Sequence, residues 1–474
     1  MDIYKACEKL AGSLYIMSLL IIELSGRYIK RRKILNLNWH DWGLKKMCDE
    51  NLRGKKLLIL AGAEVHCKVV RKAKAMGIYT IVTDYLRFED SPAKRISDEY
   101  WDIDIMDTDS IIAKCRSCGV DGVLAFCIDP AQIPYFKICD ALGVPCYGTE
   151  EQFEIMTSKR LFKKFCSECG VDTIPEYRES DILLGLVKYP IFVKPSESRG
   201  SRGQSVCYTQ KEAITAIRNA KAMSLDGQCI IEQYMEGKKD ISLAYIVIDS
   251  VGYLTKIGDR YLGLDEDGLS RQQICTLLPS KTSDLVFEKV DTIVKCLIEK
   301  LGLKFGPLFL QGFIDDDSIL LYDPGLRFPG SDYDVALEKA TGFSTVESLI
   351  RFALTGSVTS CAGNPKECFK LDGRTAMILS ISARPGKIYS IQGLDQVLRN
   401  DNVLAYYLNR KVGDTIEATG DIQQRVIEFV ALVDNREEAE NLASEIYSFI
   451  KIIDVDGVDM CVSKMGIDIS FRRN

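Results

Sequence analysis

Residues 189–208, YPIFVKPSESRGSRGQSVCY, decide how the rest of the chain is interpreted. A short apolar run at 191–193 ends in Lys194 and Pro195, and a loop rich in glycine and serine follows. Glycine lets backbone N–H groups approach an anion closely, serine hydroxyls add donors, and a lysine at the end of a strand supplies a positive charge. The pattern predicts a phosphate-binding loop. A glycine-rich hairpin with a solvated lysine is the alternative, and neighbouring sequence must decide between them.

Length and composition indicate an ordinary globular protein with several cores. The chain has 474 residues, of which 46% are hydrophobic and 27% are charged. This length suits about three domains. The net charge of −6 and the isoelectric point near 5.4 argue against a general nucleic-acid binder, but leave small phosphate-bearing ligands open.

Cysteine and histidine usage restricts the chemistry. The 17 cysteines are an odd number in a large chain, which favours reduced thiols and a cytoplasmic location over a disulfide scaffold. The pairs Cys115/Cys118 and Cys166/Cys169 have zinc-like spacing, but each is followed by a glycine, which favours the end of a helix. With only two histidines, catalysis has to depend on lysine, arginine, carboxylates and backbone amides.

Residues 1–53 are predicted to form a helical extension. The apolar stretch 10–25 is interrupted by polar residues, so it is poorly suited to span a membrane, which needs about 20 apolar residues. Its basic run, 30–33, follows the apolar part, whereas a secretory signal has its positive charges first. We expect the segment to dock on the chain itself or on a second copy, giving a homo-oligomer through this helix. Contact with a membrane surface is the minority alternative.

Residues 54–150 read as a doubly wound α/β domain. Short apolar runs at 57–62, 79–85 and 122–127 alternate with helix-like segments. The turn after the first run, at 62–64, lacks the G-x-G-x-x-G of a dinucleotide site, and the sequence contains no G-x-x-x-x-G-K-[ST]. Nucleotide-binding residues must therefore lie further along the chain.

The order of motifs after residue 150 resembles the ATP-grasp superfamily over residues from about 55 to 470. The resemblance rests on Thr157-Ser158-Lys159, on the loop at 193–205, on IEQYMEG at 231–237, and on Asp323-Pro324-Gly325-Leu326-Arg327. The motifs at 383–388, 393–395 and 412–414, with a helix at 436–450, resemble the closing domain of amino-acid ligases in this superfamily.

This resemblance implies an α/β architecture of four parts. The helical extension (1–53) and the preceding α/β domain (54–150) are followed by an ATP-grasp domain (151–355) with a glycine-rich lid at about 190–232. An α+β closing domain (356–474) completes the chain.

The resemblance also implies an ATP site. Two lysines would reach the phosphates, the glycine–serine loop would cover them, residues 232–235 would hold the adenine, and Asp240 would accept hydrogen bonds from the ribose. For Lys159 a solvated position on its helix is the alternative, and for Met235 a position in the core. The implied ATP-binding residues are Lys159, Lys194, Ser198, Gly200, Ser201, Gly203, Glu232, Gln233, Met235 and Asp240.

The implied metal site departs from the family pattern. Members usually carry a glutamate on the penultimate strand and E-x-N-x-R on the last, whereas the matching positions here are Gln311, Asp323 and Gly325. Gln311 and Asp323 would hold Mg²⁺, or Mn²⁺ in its place, less tightly than two carboxylates. Asp332 and Asp334 are expected either to compensate from the next loop or to lie in a solvated turn.

Arg327, which the pattern retains, is the implied catalytic residue. A guanidinium can hold a substrate carboxylate and stabilise the transferred phosphoryl group, and pairing with a nearby aspartate is the alternative. The resemblance implies a carboxylate–amine ligase that uses ATP, acts on small molecules through an acylphosphate, and has no nucleic-acid partner. Phosphorylation of bicarbonate or carbamate, as in carbamoyl-phosphate synthases, and an ATP-binding protein without catalysis are the alternatives.

Overall fold

The computed structural model describes residues 51–462, apart from 197–202, 225, 263–272, 283, 316–317, 331, 359–361 and 420–421. The predicted N-terminal helix and three predicted loop residues, Ser198, Gly200 and Ser201, lie outside the described residues. All elements below belong to the compact unit Leu52–Asn474. Within the described ranges, no helix is long and apolar enough to cross a bilayer.

Helices and strands alternate throughout the described chain. The helices are α1 (Cys67–Ala75), α2 (Pro92–Ile96), α3 (Thr108–Cys118), α4 (Gln132–Leu142), α5 (Glu150–Thr157), α6 (Lys159–Cys169), α7 (Glu179–Leu183), α8 (Gln210–Met223), α9 (Asp284–Leu301), α10 (Tyr333–Thr341), α11 (Thr345–Thr355), α12 (Leu394–Val397) and α13 (Arg436–Phe449). The strands are β1 (Lys56–Leu60), β2 (Tyr79–Thr83), β3 (Glu99–Trp101), β4 (Gly122–Ala125), β5 (Ile191–Pro195), β6 (Ser205–Cys207), β7 (Cys229–Gln233), β8 (Lys239–Ile248), β9 (Val251–Leu262), β10 (Gln273–Leu278), β11 (Gly306–Asp315), β12 (Ser318–Gly325), β13 (Thr375–Ser382), β14 (Gly386–Gln392), β15 (Val403–Leu408), β16 (Thr415–Ile416), β17 (Arg425–Val433) and β18 (Lys451–Asp454).

The first sheet is parallel, with strand order β3-β2-β1-β4. Residues 57–60 of β1 are fully buried, as expected for the central strand of a sheet covered on both faces. The carboxyl ends of β1, β2 and β4 therefore lie along one edge. Ligands of open α/β sheets bind at such an edge.

Two antiparallel sheets carry several of the predicted site residues. The smaller one has the order β6-β5-β7 and contains Lys194. The larger one has eight strands in the order β12-β11-β8-β9-β10-β13-β17-β15, so it runs across the boundary predicted at 355. A third small sheet, β16-β14-β18, completes the C-terminal part.

Residues 156–169, whose sequence predicts a single helix, belong to two helices, α5 and α6. The break lies at Ser158, whose backbone is extended (φ −99°, ψ 114°) and whose hydroxyl accepts a hydrogen bond from the N–H of Leu161. Serine favours this N-cap role because its oxygen satisfies an N–H that has no partner within the helix. Lys159 consequently begins a helix instead of lying within one.

The helix ends predicted at the two CxxC pairs are confirmed. Gly119 and Gly170 close α3 and α6 in the left-handed conformation, with φ of 66° and 69°. Glycine adopts this conformation without a Cβ clash. The four cysteines of the two pairs are free thiols.

His66 predicts a pH-dependent stability. Its imidazole is fully buried at the start of α1, and neither ring nitrogen has a hydrogen-bond partner among the described residues. Burial lowers the pKa of His66 from 6.5 to about 4. The folded chain thus excludes a proton that the unfolded chain binds, so His66 contributes stability above pH 6.5 that is lost as pH falls toward 4, up to about 3 kcal/mol.

The measurement is the free energy of unfolding of the chain and of a His66→Met variant between pH 7 and pH 4.5. The variant should lose about 2–3 kcal/mol less over this range, because an apolar side chain does not titrate. His40→Gln reports the contribution of the other histidine. Parallel pH profiles for the chain and His66→Met would show that His66 is protonated in the folded state.

Candidate functional site

Lys194 lies against a buried carboxylate on the small sheet. Antiparallel pairing places Phe192 opposite Glu232 and Lys194 opposite Ile230, so Lys194 and Glu232 are diagonal neighbours on one face. Lys194 Nζ is 2.6 Å from Glu232 Oε2, and both residues are buried. Glu232, which was predicted to contact the adenine, therefore has a side chain that pairs with the predicted phosphate-binding lysine.

A second lysine shares this carboxylate. Lys163 Nζ is 2.5 Å from Glu232 Oε1 and also 2.5 Å from Glu176 Oε1. Lys163 follows Lys159 by four residues, so the two lie on the same face of α6. Lys159 Nζ is 3.9 Å from Asp323 Oδ1, on the edge strand β12 of the large sheet. Lysines of α6 thus contact carboxylates of both sheets.

The protonation of this cluster reflects burial and closely spaced charges. Burial lowers the pKa of Lys194 below 10.5, and Lys159 and Lys163 lower it further, while Glu232 acts in the opposite direction. For Glu232, burial opposes the charge, but Lys194 and Lys163 more than offset it, so its pKa lies below the ordinary value. A polyphosphate placed among the three ammonium groups would reduce their mutual repulsion.

Helix geometry supports a role for Lys159 in binding. A cation at the first position of a helix is unfavourable, because the N-terminus of a helix carries partial positive charge. The same N-terminus is a favourable place for an anion. Lys159 therefore lowers the stability of helix α6, and a phosphate bound at this N-terminus would offset that loss.

Strand register brings the two predicted metal ligands together. Gln311 on β11 lies opposite Asp323 on β12, and the register shifts immediately after Gln311. Bulges of this kind redirect side chains beside active sites. On the other side, Gln311 lies opposite Ser242 of β8, whose buried hydroxyl has no hydrogen-bond partner in the described part of the chain. Three oxygen-bearing side chains consequently share one face of neighbouring strands.

This donor set fits one Mg²⁺ ion held mainly through a nucleotide. Magnesium is usually bound by one or two carboxylates together with substrate phosphates and waters. Asp323 would supply the carboxylate, and Gln311, which lies opposite it on the neighbouring strand, would supply an amide oxygen. Among the residues that the structure describes, no group of three or more His, Cys, Asp or Glu could hold a metal by itself.

Asp240 is engaged within the protein. Its Oδ2 accepts a hydrogen bond of 2.7 Å from Arg260 Nη1, and its Oδ1 accepts one of 3.1 Å from the hydroxyl of Tyr322. Burial raises the pKa of Asp240, with Arg260 acting in the opposite direction. Both oxygens are thus occupied in this state, and the predicted contact with a ribose stays a prediction.

The remaining predicted ATP-site residues that the structure describes lie in or next to the small sheet. Gly203 has φ of 70°, and a Cβ there would lie 2.9 Å from Pro195 Cγ, so both conformation and space require glycine. The side chain of Gln233 accepts from the Tyr177 hydroxyl at 2.6 Å. Met235 is half-buried after the end of β7. The adenine contacts predicted for residues 232–235 stay predictions.

Arg327 is held by a carboxylate from the first sheet. Its Nε and Nη2 donate to the two oxygens of Asp129, the latter at 3.1 Å, and its Nη1 donates to the carbonyl of Phe328 at 3.1 Å. The guanidinium lies 5.0 Å above the ring of Phe309. Burial opposes the charge of Arg327, but Asp129 and then Asp323 raise its pKa above the ordinary value.

Asp332 and Asp334 contact a lysine from the first domain. Both carboxylates pair with Lys68 Nζ, at 2.5 Å for Asp334, and both are buried. The expectation of a solvated turn is therefore wrong, because Lys68 draws both side chains inward. Burial raises the pKa of Asp332 to about 7, Lys68 opposes this rise, and Asp334 adds to it.

Sequence reasoning missed Lys163 and Asp129, although each leaves a signal. The spacing of four between Lys159 and Lys163 indicates one helix face. Asp129 follows β4 directly, at the carboxyl edge of a parallel sheet where ligands bind.

Two family models match separate parts of the chain. The ATP binding domain of the carbamoyl-phosphate synthase L chain matches residues 159–301. The L-amino acid ligase C-terminal domain 2 matches residues 379–454. The first match contains Lys159, Lys194 and Glu232, and the second contains β17 and the whole of helix α13.

Individual relatives are distant in sequence and close in fold. The chain is 23% identical over 246 residues to the small subunit of 2-oxoglutarate carboxylase from Hydrogenobacter thermophilus, covering 48% of this chain and 51% of that protein. It therefore spans about half the length of that relative.

Two solved structures share the fold. An L-amino acid ligase from Bacillus licheniformis has a TM-score of 0.71 at 18% identity, covering 85% of this chain and 99% of the other. The biotin carboxylase domain of the Hydrogenobacter thermophilus 2-oxoglutarate carboxylase, in complex with MgADP, ADP and bicarbonate, has a TM-score of 0.68 at 17% identity, covering 84% and 90%. The chain thus has the ATP-grasp fold and resembles ATP-grasp enzymes of the L-amino acid ligase and carbamoyl-phosphate synthase types.

Proposed function

We propose that this chain is an ATP-dependent carboxylate–amine ligase, which forms an amide through an acylphosphate and releases ADP and phosphate. The observation that carries the proposal is the cluster of Lys159, Lys163 and Lys194 around Glu232 and Asp323. The three ammonium groups that converge there suit a polyphosphate. The match of the C-terminal part to L-amino acid ligases supports carboxylate and amine substrates.

The residues would divide the work by charge. Lys194 from the small sheet and Lys159 from α6 would neutralise different phosphates, which holds the γ-phosphoryl group near the substrate carboxylate. Asp323 and Gln311 would hold Mg²⁺, or Mn²⁺, which neutralises charge on the phosphates when bound. Arg327 would bind the substrate carboxylate and stabilise charge that develops on the transferred group.

The second step requires an amine rather than water. Attack of an amine nitrogen on the acylphosphate carbon forms the C–N bond and expels phosphate, and the nitrogen loses a proton. Exclusion of water is therefore essential, since hydrolysis would waste the intermediate. The loop from Ser198 to Gly203, which lies between β5 and β6 in the sequence, would close over the phosphates.

Phosphorylation of bicarbonate is the second candidate. It is favoured by the family match over residues 159–301 and by the neighbouring carboxylase structure that contains bicarbonate. Both reactions start from the same transfer of a phosphoryl group to a carboxylate-like oxygen. They differ in the acceptor that triggers ADP release.

The test is ADP formation by the full chain with ATP and Mg²⁺ against panels of carboxylates and amines. We expect ADP to form in stoichiometric amount with an amide, and only when one carboxylate and one amine are both present. ADP release with bicarbonate alone would support the second candidate. ATP binding without ADP under every pair would contradict both and leave a binding protein.

A further inference from the structure

The guanidinium of Arg327 is held along one edge only. Of its five N–H groups, those on Nε and one on Nη2 donate to Asp129, and one on Nη1 donates to the carbonyl of Phe328. Within the described part of the chain, one N–H on each Nη has no protein acceptor. The one on Nη2 lies on the end edge of the guanidinium, because the other N–H of Nη2 shares the side edge with Nε, and a guanidinium edge can bind oxygens of an anion.

Asp129 is itself fixed. Its Oδ1 accepts a second hydrogen bond, of 3.2 Å, from Gln132 Nε2. The other amide atom of Gln132, Oε1, accepts a bond of 3.1 Å from the backbone N–H of Leu326, next to Arg327. Gln132 is buried, so the loop after β4 and the segment after β12 are joined twice. This network fixes the orientation of the guanidinium through its partner Asp129 and through the neighbouring backbone at Leu326.

Gly325 supplies the space for the pair. A Cβ at this position would lie 3.2 Å from Arg327 Cγ, 3.5 Å from its Nε and 3.7 Å from Asp129 Oδ1. These distances are tight for the first contact, so a larger side chain would have to displace Arg327 or Asp129. The absence of a side chain at 325, which weakens the metal site, therefore gives room to a carboxylate from the first domain.

Exposure and charge favour a positioning role over a purely structural one. The side chain of Asp129 is 41% exposed, whereas that of Arg327 is 12% exposed and stacks on Phe309. Solvent therefore reaches the pair only through Asp129, and such a half-exposed pair contributes less to stability than a fully buried one. The bidentate contact also fixes the direction of the guanidinium.

We propose that Asp129 is a positioning residue, which holds the side edge of Arg327 so that its end edge faces the transferred phosphoryl group, and that Gly325 is required for this arrangement. The proposal rests on the proposed function, since it assumes that Arg327 binds an anion. Asp129 acts through Arg327 and touches no reacting atom.

The experiment measures binding of inorganic phosphate to the full chain saturated with ADP and Mg²⁺, by calorimetry. Asp129→Asn should weaken phosphate about tenfold, since an amide cannot accept from both guanidinium nitrogens, while ADP affinity changes less than about twofold. Gly325→Ala should weaken phosphate in the same direction. Asp140→Asn, an exposed aspartate on α4, is the matched control and should bind phosphate normally.

A double-mutant cycle separates positioning from direct contact. In an Arg327→Gln background, Asp129→Asn should have no further effect on phosphate affinity, because the residue through which it acts is absent. Additive losses, or unchanged phosphate binding in Asp129→Asn, would overturn the proposal. Phosphate that fails to bind the unmodified ADP complex would also overturn it. Loss of ADP binding by the unmodified chain would instead contradict the proposed function.

Discussion

Replacement of Lys194 by methionine is expected to weaken ATP binding about 10- to 100-fold, because a charge-assisted contact to phosphate contributes about 1.5–3 kcal/mol. Methionine keeps the length of the buried stem, so the small sheet retains its packing. Glu232 also keeps a partner, since Lys163 Nζ lies 2.5 Å from its other oxygen. The variant should therefore fold, and calorimetric titration with ATP measures the loss.

Lys164→Met is the matched control for this prediction. Lys164 is on α6 like Lys159, but its side chain is 74% exposed and 3.8 Å from Glu168. An exposed pair of this kind should not alter ATP affinity. Equal ATP affinities for the folded Lys194→Met variant and the unmodified chain would show that Lys194 does not bind the phosphates.

Substitution of Asp323 by asparagine is expected to raise the Mg²⁺ concentration needed for tight ATP binding at least about tenfold. Asp323 provides the carboxylate beside Gln311, and magnesium binds carboxylates in preference to neutral amides. Gln311→Glu should act in the opposite direction and lower the Mg²⁺ midpoint. The midpoint of ATP affinity against Mg²⁺ reports both changes without any substrate.

The nearby Asp315→Asn variant provides the comparison. Asp315 ends the same strand as Gln311 but pairs with Lys238 at 2.5 Å and is 36% exposed. Its substitution should leave the Mg²⁺ midpoint unchanged. If Asp323→Asn also leaves it unchanged while ATP still binds, the metal is held elsewhere and the predicted ligand pair is wrong.

Local sequence patterns determined most of the regular structure. Apolar runs of strand length gave β1 and β2 within two residues of their ends, because a buried strand needs a continuous apolar stretch. The helix 156–169 was misjudged because its periodicity continues through Ser158. The serine had a local capping preference that competed with that periodicity, and the capped break prevailed.

Local patterns and the resemblance to ATP-grasp ligases together indicated several candidate site residues before any contact was known. Lys194 ends a strand before a glycine-rich stretch of sequence, and Gln311 and Asp323 lie on consecutive strands. Antiparallel neighbours of this kind can be expected to face each other, although the register shift after Gln311 could not be foreseen. Sequence reasoning thus reached residues whose position depends on one strand and its turn.

Contacts between distant segments were decided only by the tertiary structure. Asp129 and Arg327 are 198 residues apart, and Lys68 and Asp332 are 264 apart, yet each pair is in contact. A charge on a loop can pair with any opposite charge that the fold brings near it, so residue type alone does not select the partner. The partner follows from how α1 and the residues after β4 pack against the segment that follows β12. Burial there makes an unpaired charge costly.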